Sequence, residues 1–429
     1  MTGDAGALTP ARRVGAILAG SAGNLIEWFD FYVYAFTALY FSSEFFPITD
    51  PLAQVMATSG IFAVGFLLRP IGGWFFGRYA DRHGRQRAMM VSVLMMGAGS
   101  LAIAVLPTYG QVGALAPLLL LVGRMAQGFS TGGQYGTAAT YLSEIAAAGR
   151  RGFWGSFQYV TLIGGQLLAT AVVLALQHWL SEAEMQRFGW RIAFAGGAVG
   201  AALFLLLRRW MPETTRAEQR GPAAGSLAAL RAHWPALWTV IGLTAGGSLV
   251  FYTFTTYMQK YLVLTTGLPK GEATLVMTAV LAPFMLLQPL FGALADRWGR
   301  RANLILFGAL ATLLTVPLMT ALAQAHTGAA AFGLVLAGLA INALYTSVSG
   351  LFKAELFPVQ VRALGVGLAY GVGNALFGGT AENIALAFKR AGHESGFYWY
   401  VTAVSAGSLL TALLMRDTRQ RSALADVEI

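Results

Sequence analysis

The chain has no cysteine and few charged residues for its length. Among its 429 residues, only 11% are Asp, Glu, Lys or Arg. The lack of cysteine excludes disulfide scaffolds, thiol nucleophiles and cysteine metal sites. The low charge argues strongly against a soluble globular protein, in which roughly 25% of residues are charged. A chain of which 56% is apolar is expected in a lipid bilayer.

Catalytic and cofactor motifs are also missing from the sequence. It contains no Gly-x4-Gly-Lys-Ser/Thr phosphate loop. The histidines lie in or near predicted loops without zinc-ligand spacing, at His83, His178, His233, His326 and His393. No nucleophile and base can be placed together at one membrane depth. We therefore expect no metal or organic cofactor, and the sequence does not favour an enzyme.

Twelve apolar segments are long enough to cross a bilayer as helices, which takes about 20 residues. Only helices and closed barrels satisfy the backbone in hydrocarbon, and the alternating segments of a barrel are absent. The segments are 14–42, 55–77, 88–106, 112–142, 153–178, 191–208, 236–261, 273–294, 302–322, 328–352, 363–388 and 397–415. The sequence predicts an all-α membrane protein with twelve transmembrane helices.

Lysine and arginine are divided unequally between the two sides of these segments. With the N-terminus in the cytoplasm, the cytoplasmic side carries twenty-one of them and the other side five. The cytoplasmic set includes Arg12, Arg13, Lys353, Arg362 and the bases of 208–231. This asymmetry predicts that both termini are cytoplasmic. The net charge of +10 then indicates contact with anionic lipid headgroups rather than with nucleic acid.

The chain divides into two related halves. The polar connection 210–235 separates a predicted six-helix bundle, 1–209, from a second, 236–429. Both halves carry Gly-x3-Asp-Arg-x-Gly-Arg after their second span, ending at Arg85 and Arg300. Later in each half a glutamate precedes an arginine by seven residues, as Glu144 and Arg151 and as Glu355 and Arg362. Such a repeat is typical of transporters.

Ionisable residues inside the predicted spans suggest function, because burying a charge in a membrane is costly. Glu27 and Asp30 lie one helical turn apart. Paired carboxylates in a low-dielectric cavity suit a proton carrier, and a structural ion pair with an arginine is an equally good interpretation. Arg69 and Arg124 are expected either to bind an anionic substrate bidentately or to clamp those two acids.

Other polar residues occupy spans in both halves. Tyr257 and Lys260 lie on one helical stripe with Thr253, although Lys260 is near a span end and is expected to extend to the interface. Interhelical hydrogen bonding explains most of the others at least as well as ligand binding does; these are Gln158, Gln166, Gln288, Asn342, Asn374 and Glu382. Close helix approaches are predicted at Gly73…Gly77, Gly128…Gly132…Gly136 and Gly367…Gly371.

Several motifs resemble those of known transporters. The two loop repeats and Arg124-x-x-Gln127-Gly are similar to motifs of the major facilitator superfamily. Residues 23–32, 69–73, 141–144 and 357–362 resemble its metabolite:proton symporter family. Within that family, the segments most similar to α-ketoglutarate transporters are 155–166, 251–262, 360–368 and 397–402. The resemblance extends over essentially the whole chain.

The resemblance implies proton-coupled import of α-ketoglutarate, a dicarboxylate, across the bacterial inner membrane by alternating access of the two bundles. We expect a monomer that contacts the lipid bilayer and no nucleic acid. The expected substrate-binding residues are Arg69, Arg124, Tyr32, Gln158, Gln166, Tyr257 and Lys260, and the expected proton carriers are Glu27 and Asp30. The resemblance also implies a cytoplasmic gate of Asp81 and Arg85 with Glu144 and Arg151, and of Asp296, Arg300, Glu355 and Arg362. The alternative is that these loop charges only fix topology.

One position departs from the family pattern. Members usually have Gly-Gly-Glu-Tyr-Gly in the fourth span, whereas this chain has Gln134 in place of the glutamate. If that acid carries the proton, coupling is weakened here, or moved to Glu27 or Asp30. Alternatively, the change holds one conformation.

Other functions remain open. A related symporter could carry citrate, shikimate or a zwitterion such as proline or betaine. A zwitterion would need one anionic and one cationic subsite, whereas two inward arginines favour a dianion. A membrane sensor is less favoured, because no signalling domain flanks the bundles.

Overall fold

The computed structural model describes residues 10–147, 149–207, 212–214, 224–418 and 422–424, and every regular element in these ranges is helical. The main helices are α1 (Pro10–Phe45), α2 (Pro51–Leu67), α3 (Arg69–His83), α4 (Arg85–Ala104), α5 (Leu115–Ile145), α6 (Phe157–Trp179), α7 (Trp190–Leu207), α8 (Trp234–Tyr252), α9 (Met258–Leu264), α10 (Lys270–Trp298), α11 (Arg300–Ala323), α12 (Gly328–Glu355), α13 (Arg362–Gly373), α14 (Ala381–Arg390) and α15 (Glu394–Leu414).

Short elements connect or interrupt these helices. Short α-helices occupy Tyr109–Val112, Arg151–Gly155, Glu182–Glu184 and Leu227–Arg231, and a 3-10 turn occupies Val359–Val361. Wider π-helical turns occupy Met185–Gly189, Thr253–Tyr257 and Asn374–Gly378. Such turns often mark functional sites in helical proteins.

The all-helical prediction is confirmed, and each of the twelve apolar segments overlaps helix. Within the described ranges, nine helical stretches are long and apolar enough to cross a membrane. Several predicted segments are not single continuous α-helices; the fifth begins in the short helix Arg151–Gly155, and the seventh contains the π turn Thr253–Tyr257. Helix α2 ends before Pro70, which lacks an N–H and lies in the first turn of α3. The eleventh segment consists of α13, a π turn and α14.

The predicted linker is only partly described. It contains the helix Leu227–Arg231 and the first residues of α8, whereas 210, 211 and 215–223 lie outside the described residues. The side chains of Arg12 and Arg13, and residue Arg208, also lie outside them. Thr214 contacts the first half, because its hydroxyl donates a 2.7 Å hydrogen bond to Glu144.

The two halves of the chain pack closely through glycines. Helix α3 lies against α13, and α10 lies against α6. A side chain at Gly73 or Gly136 would collide with the backbone of Gly367, and one at Gly77 would collide with Leu364. The predicted close approaches are therefore found between the halves and, at Gly128 and Gly132, also within the first half.

The outer surface of the bundle is apolar. Large apolar side chains at least half exposed are found on many helices, among them Leu101, Leu206, Leu286, Leu313 and Leu414. The interior instead contains fully buried charged residues such as Arg69 and Arg124. This distribution, polar inside and apolar outside, is the one expected in hydrocarbon.

Candidate substrate site and the contacts that close it

Arg69, the first residue of α3, points into the interior between the two halves. Its guanidinium carbon lies 3.8 Å from the centre of the Phe66 ring and 4.4 Å from that of Phe31. Nη1 donates a 3.2 Å hydrogen bond to the hydroxyl of Tyr252 in the other half. Nε and Nη2 have no acceptor among the described residues. One edge of this buried cation is therefore free to bind an anion.

Arg124, in the middle of α5, has a similar environment. Nη1 donates a 2.7 Å hydrogen bond to Gln127 Oε1, while Nε and Nη2 find no acceptor in the part of the chain that is described. Its guanidinium carbon lies 4.3 Å from the centre of the Tyr34 ring and 5.0 Å from that of Phe31. Both guanidiniums thus contact Phe31, and their charges are close enough to interact.

Glu27 and Asp30 are fully buried on α1 beside these cations. Glu27 interacts electrostatically with Arg69, and Asp30 lies near Arg124 and the Ser100 hydroxyl. Neither acid forms an ion pair in the described ranges, and no well-formed hydrogen bond reaches their carboxylate oxygens there. The structure therefore does not support the interpretation that these acids are clamped by the arginines. We call Glu27, Asp30, Phe31, Arg69 and Arg124 the central cluster.

Polar residues of α1 and α6 meet in the interior. Asn24 joins α1 to α6 by donating hydrogen bonds of 2.9 Å to the Gln158 carbonyl and 2.8 Å to the Thr161 hydroxyl. Gln158 Oε1, both amide atoms of Gln166 and the Tyr32 hydroxyl are buried without a well-formed hydrogen bond to any described residue. Unpaired buried polar groups are costly, so this concentration of them indicates a ligand site.

Tyr257 and Lys260 lie apart from the central cluster. Lys260 is buried, and its Nζ lies 2.9 Å from Glu382 Oε2 and 3.4 Å from the Ala35 carbonyl. The prediction that Lys260 extends to the interface is wrong, because Glu382 from α14 provides a buried partner. Tyr257 packs against Tyr261 and Phe397 rather than against the arginines.

Sequence reasoning missed the aromatic residues of the site. Phe31 and Phe66 hold the guanidiniums by cation–π contact, and Tyr252 supplies the only protein hydrogen bond of Arg69 among the described residues. Tyr252 directly precedes the π turn Thr253–Tyr257. No periodic signal distinguishes these rings from the many other apolar residues of the spans.

The first loop motif joins the two halves at one end of the molecule. Asp81 accepts hydrogen bonds from the backbone amides of Ala363 (3.3 Å) and Leu364 (3.0 Å), in the first turn of α13. Arg85 follows Asp81 by four residues, and its Nη1 lies 2.5 Å from Asp81 Oδ1. A carboxylate is favoured at a helix N-terminus by the helix dipole. Gly84 has a φ of 106°, which permits the sharp turn between α3 and α4.

The second copy of the loop motif makes the equivalent contact, from the second half to the first. Asp296 accepts hydrogen bonds from the amides of Gly152 (2.7 Å) and Phe153 (2.9 Å), at the start of the helix Arg151–Gly155. Arg300 lies 3.5 Å from Asp296 and 3.3 Å from Glu355. Each half therefore caps a helix of the other half.

The expected grouping of the loop charges within each half is found for Glu144 and Arg85, but Glu144 also pairs across the halves. This carboxylate pairs with Arg362 of the other half at 2.8 Å and with Arg85 at 3.4 Å. Arg151 instead donates a 2.8 Å hydrogen bond to the Leu424 carbonyl. The network crosses between the halves because the first turn of α13 contacts Asp81. We call the region of Asp81, Arg85, Glu144, Asp296, Arg300, Glu355 and Arg362 the motif end.

The opposite end is also bridged. Lys270 pairs with Glu182 at 2.6 Å, and Gln177 Nε2 donates to the hydroxyls of Tyr40 and, at 3.4 Å, Thr274. Lys270 and Thr274 belong to the second half and the other three to the first. With both ends bridged and the central cluster buried, the structure is closed on both sides.

Lys353, counted in the sequence among the cytoplasmic bases, is buried within the bundle. Its side chain is fully buried, and Nζ donates to the hydroxyls of Tyr135, Tyr345 and Ser349. The sequence alone does not show this burial, because rings from both halves cover the residue.

Comparison with known proteins identifies the family. The Sugar (and other) transporter family matches residues 16–231, and the Major Facilitator Superfamily matches 258–424. The chain is 55% identical to the alpha-ketoglutarate permease of Escherichia coli (strain K12) over 405 residues, 94% of each chain. It is 34% identical to the citrate-proton symporter of Klebsiella pneumoniae, covering 96% of this chain and 93% of that one.

A solved structure of similar fold is that of a proton:xylose symporter of the major facilitator superfamily bound to 6-bromo-6-deoxy-D-glucose. It superposes with a TM-score of 0.82 at 18% identity, covering 97% of this chain and 98% of that one. Together with the helical architecture and the 55% identical relative, the family matches identify a multi-pass transport protein of the membrane. This chain belongs to the major facilitator superfamily.

Proposed function

We propose that the chain is a proton-coupled symporter that imports α-ketoglutarate across the bacterial inner membrane. The observation that carries the proposal is the pair of buried arginines on the Phe31 ring. Each has two unpaired nitrogens, and neither has an ion-pair partner in the described ranges. A 55% identical relative named alpha-ketoglutarate permease supports the choice of substrate.

A dicarboxylate matches this arrangement of charge. The free Nε and Nη2 edge of each guanidinium can hold one carboxylate bidentately. Two neighbouring cations without paired anions are unfavourable, and a dianion would neutralise both. The unpaired Gln158, Gln166 and Tyr32 groups would then bind the keto oxygen and orient the carbon chain.

Proton coupling follows from the position of the two acids. Glu27 interacts with Arg69, and Asp30 lies near Arg124. A dianion bound to the arginines would repel ionised carboxylates at these places, so protons on Glu27 and Asp30 would strengthen substrate binding. By linkage, bound substrate would strengthen proton binding equally. Proton and substrate would therefore cross together.

The proposal also includes the topology and the gates. Twelve spans in two six-helix bundles, 1–209 and 236–429, joined by 210–235, would have both termini in the cytoplasm. The motif end would then be the cytoplasmic gate, opening when Asp81, Asp296 and Glu144 release the other half. The opposite end, with the Glu182–Lys270 pair, would be the outer gate. One chain contains every proposed part, so we propose a monomer.

Citrate is the main competing substrate, because the 34% identical relative is named a citrate-proton symporter. Uptake into proteoliposomes of labelled α-ketoglutarate, with citrate, shikimate, succinate, proline and betaine as competitors, distinguishes the candidates. We expect α-ketoglutarate to be transported and the zwitterions not to compete. Robust citrate uptake without α-ketoglutarate uptake would contradict the substrate assignment.

The arginines are tested by binding of labelled α-ketoglutarate to purified protein. Arg69→Gln and Arg124→Gln are each expected to weaken binding at least about 100-fold, as loss of a bidentate charged contact worth about 3 kcal/mol implies. Arg187→Gln, at an exposed arginine, is the matched control and should bind normally. Wild-type affinity in either central variant would exclude that arginine from the site.

A further inference from the structure

Lys353 lies at the centre of a buried cluster formed by both halves. Its Nζ donates hydrogen bonds of 2.7 Å to Ser349, 2.9 Å to Tyr135 and 3.2 Å to Tyr345. The ammonium also lies 4.6 Å from the centre of the Tyr370 ring and 4.8 Å from that of Tyr135. Tyr135 comes from α5, and the other residues come from α12 and α13. We call this group the lysine cage.

The amino group of Lys353 has no anionic partner in the cage. Every hydrogen-bond acceptor is a neutral hydroxyl, and no carboxylate in the ranges described forms an ion pair with Lys353. The neighbouring acid Glu355 pairs with Arg300 instead. Hydroxyls and rings solvate an ammonium only partly, so an anion that arrives at this buried lysine would stabilise its charged form.

The cage lies between the central cluster and the motif end. On one side, Tyr370 stacks on Tyr135 with ring centres 3.3 Å apart and interacts electrostatically with Arg69 and Tyr252 of the site. On the other side, Lys353 is two residues from Glu355 of the motif end. Separation of the halves at the motif end would remove Tyr135 from Lys353 and uncover the ammonium.

We propose that Lys353 is a second anion-binding site, which takes a carboxylate of the substrate as it passes between the central cluster and the motif end. This inference rests on the proposed transport of a dicarboxylate. The hydroxyls of Tyr135, Tyr345 and Ser349 hold the ammonium while the end is closed. When the end opens, the carboxylate replaces the Tyr135 contact and provides the missing counter-charge.

The absence of cysteine from the sequence allows a direct test. Ser349→Cys is a nearly isosteric change that places a single thiol against Lys353. Its reaction with N-ethylmaleimide is followed in purified protein with and without saturating α-ketoglutarate. A carboxylate bound at Lys353 covers this thiol, so we expect substrate to slow labelling at least about tenfold, the effect of one charged contact.

The second variant, Ser349→Cys with Lys353→Gln, separates local binding from a conformational effect. If substrate at the central cluster protected the thiol only by closing the ends, protection would persist in this variant. We expect protection to disappear in this variant and to return with Lys353→Arg. Equal protection with and without the lysine would overturn the proposal.

Two controls keep the result interpretable. Tyr135→Phe with Ser349→Cys removes a hydroxyl but keeps the charge, so protection should remain, and its loss would overturn the proposal even if the glutamine variant does not fold. Uptake by the wild-type protein is measured separately, and the carboxylate that this protein transports serves as the protecting ligand. Failure of α-ketoglutarate uptake thus contradicts the proposed function, whereas failure of protection contradicts the lysine site.

Discussion

Replacing Asp81 by asparagine is expected to open the motif end. Asp81 accepts two backbone hydrogen bonds from the start of α13, and these are made between the halves. Asparagine keeps a single carbonyl oxygen and no charge, so one bond is lost and the other is weakened. The native Asp81–Arg85 pair lies within one half and therefore exists in both the open and the closed state.

The size of the effect follows from these contacts. A hydrogen bond to a charged group contributes about 1.5–3 kcal/mol, and a charge at a helix N-terminus about 0.3–1 kcal/mol. We expect Asp81→Asn to destabilise the closed motif end by about 3 kcal/mol, which shifts the equilibrium towards the open form about 100-fold.

Thiol labelling measures this shift. Ser349→Cys places its thiol between the halves, since the Ser349 hydroxyl lies 3.0 Å from that of Tyr135. If the thiol reacts only in the open form, the labelling rate should rise about 100-fold in Asp81→Asn. The rise is smaller where the open form already becomes the main population. Asp296→Asn should act in the same direction, because Asp296 makes the equivalent contact.

Asp50→Asn is the matched control. Asp50 also accepts a hydrogen bond from a helix N-terminus, the 2.9 Å bond from the Leu52 amide, but it is exposed and both residues belong to the first half. This variant should leave the labelling rate unchanged. A change of less than about twofold in Asp81→Asn would refute the assignment of Asp81 to the gate.

Three further changes test the buried polar residues. Glu27→Gln combined with Asp30→Asn should preserve α-ketoglutarate exchange but abolish accumulation driven by a proton gradient; retained accumulation would exclude both as carriers. Gln134→Glu introduces a buried titratable group and should alter the pH profile of uptake, and an unaltered profile would exclude this position from coupling. Lys260→Met leaves Glu382 unpaired and should lower stability by about 3 kcal/mol, seen as a lower Tm. Adding Glu382→Gln should restore most of that stability, and no recovery would contradict the structural pair.

The sequence was sufficient to predict the helical architecture and to single out the loop motifs, which the structure places in contacts between the halves. Apolar length determines a span, and a charge inside a span is rare enough to be informative. The same reasoning selected Glu27, Asp30, Arg69 and Arg124. The structure places both guanidiniums on the Phe31 ring and the two acids within electrostatic reach of them.

The sequence could not identify partners that are distant along the chain. Lys260 and Lys353 were assigned by distance from a span end, but Glu382 and Tyr135 cover them from helices more than one hundred residues away. Glu144 pairs with Arg362 for the same reason. A repeat predicts that two halves exist, whereas the contacts between them depend on packing that no local pattern encodes.

The central claim is that a dicarboxylate and protons cross together at the central cluster. It is tested most directly by uptake of labelled α-ketoglutarate into proteoliposomes with and without an inward proton gradient. The account predicts accumulation above the external concentration only while the gradient exists, and none in Arg69→Gln. Equal uptake with the gradient collapsed, or undiminished accumulation in that variant, would contradict it.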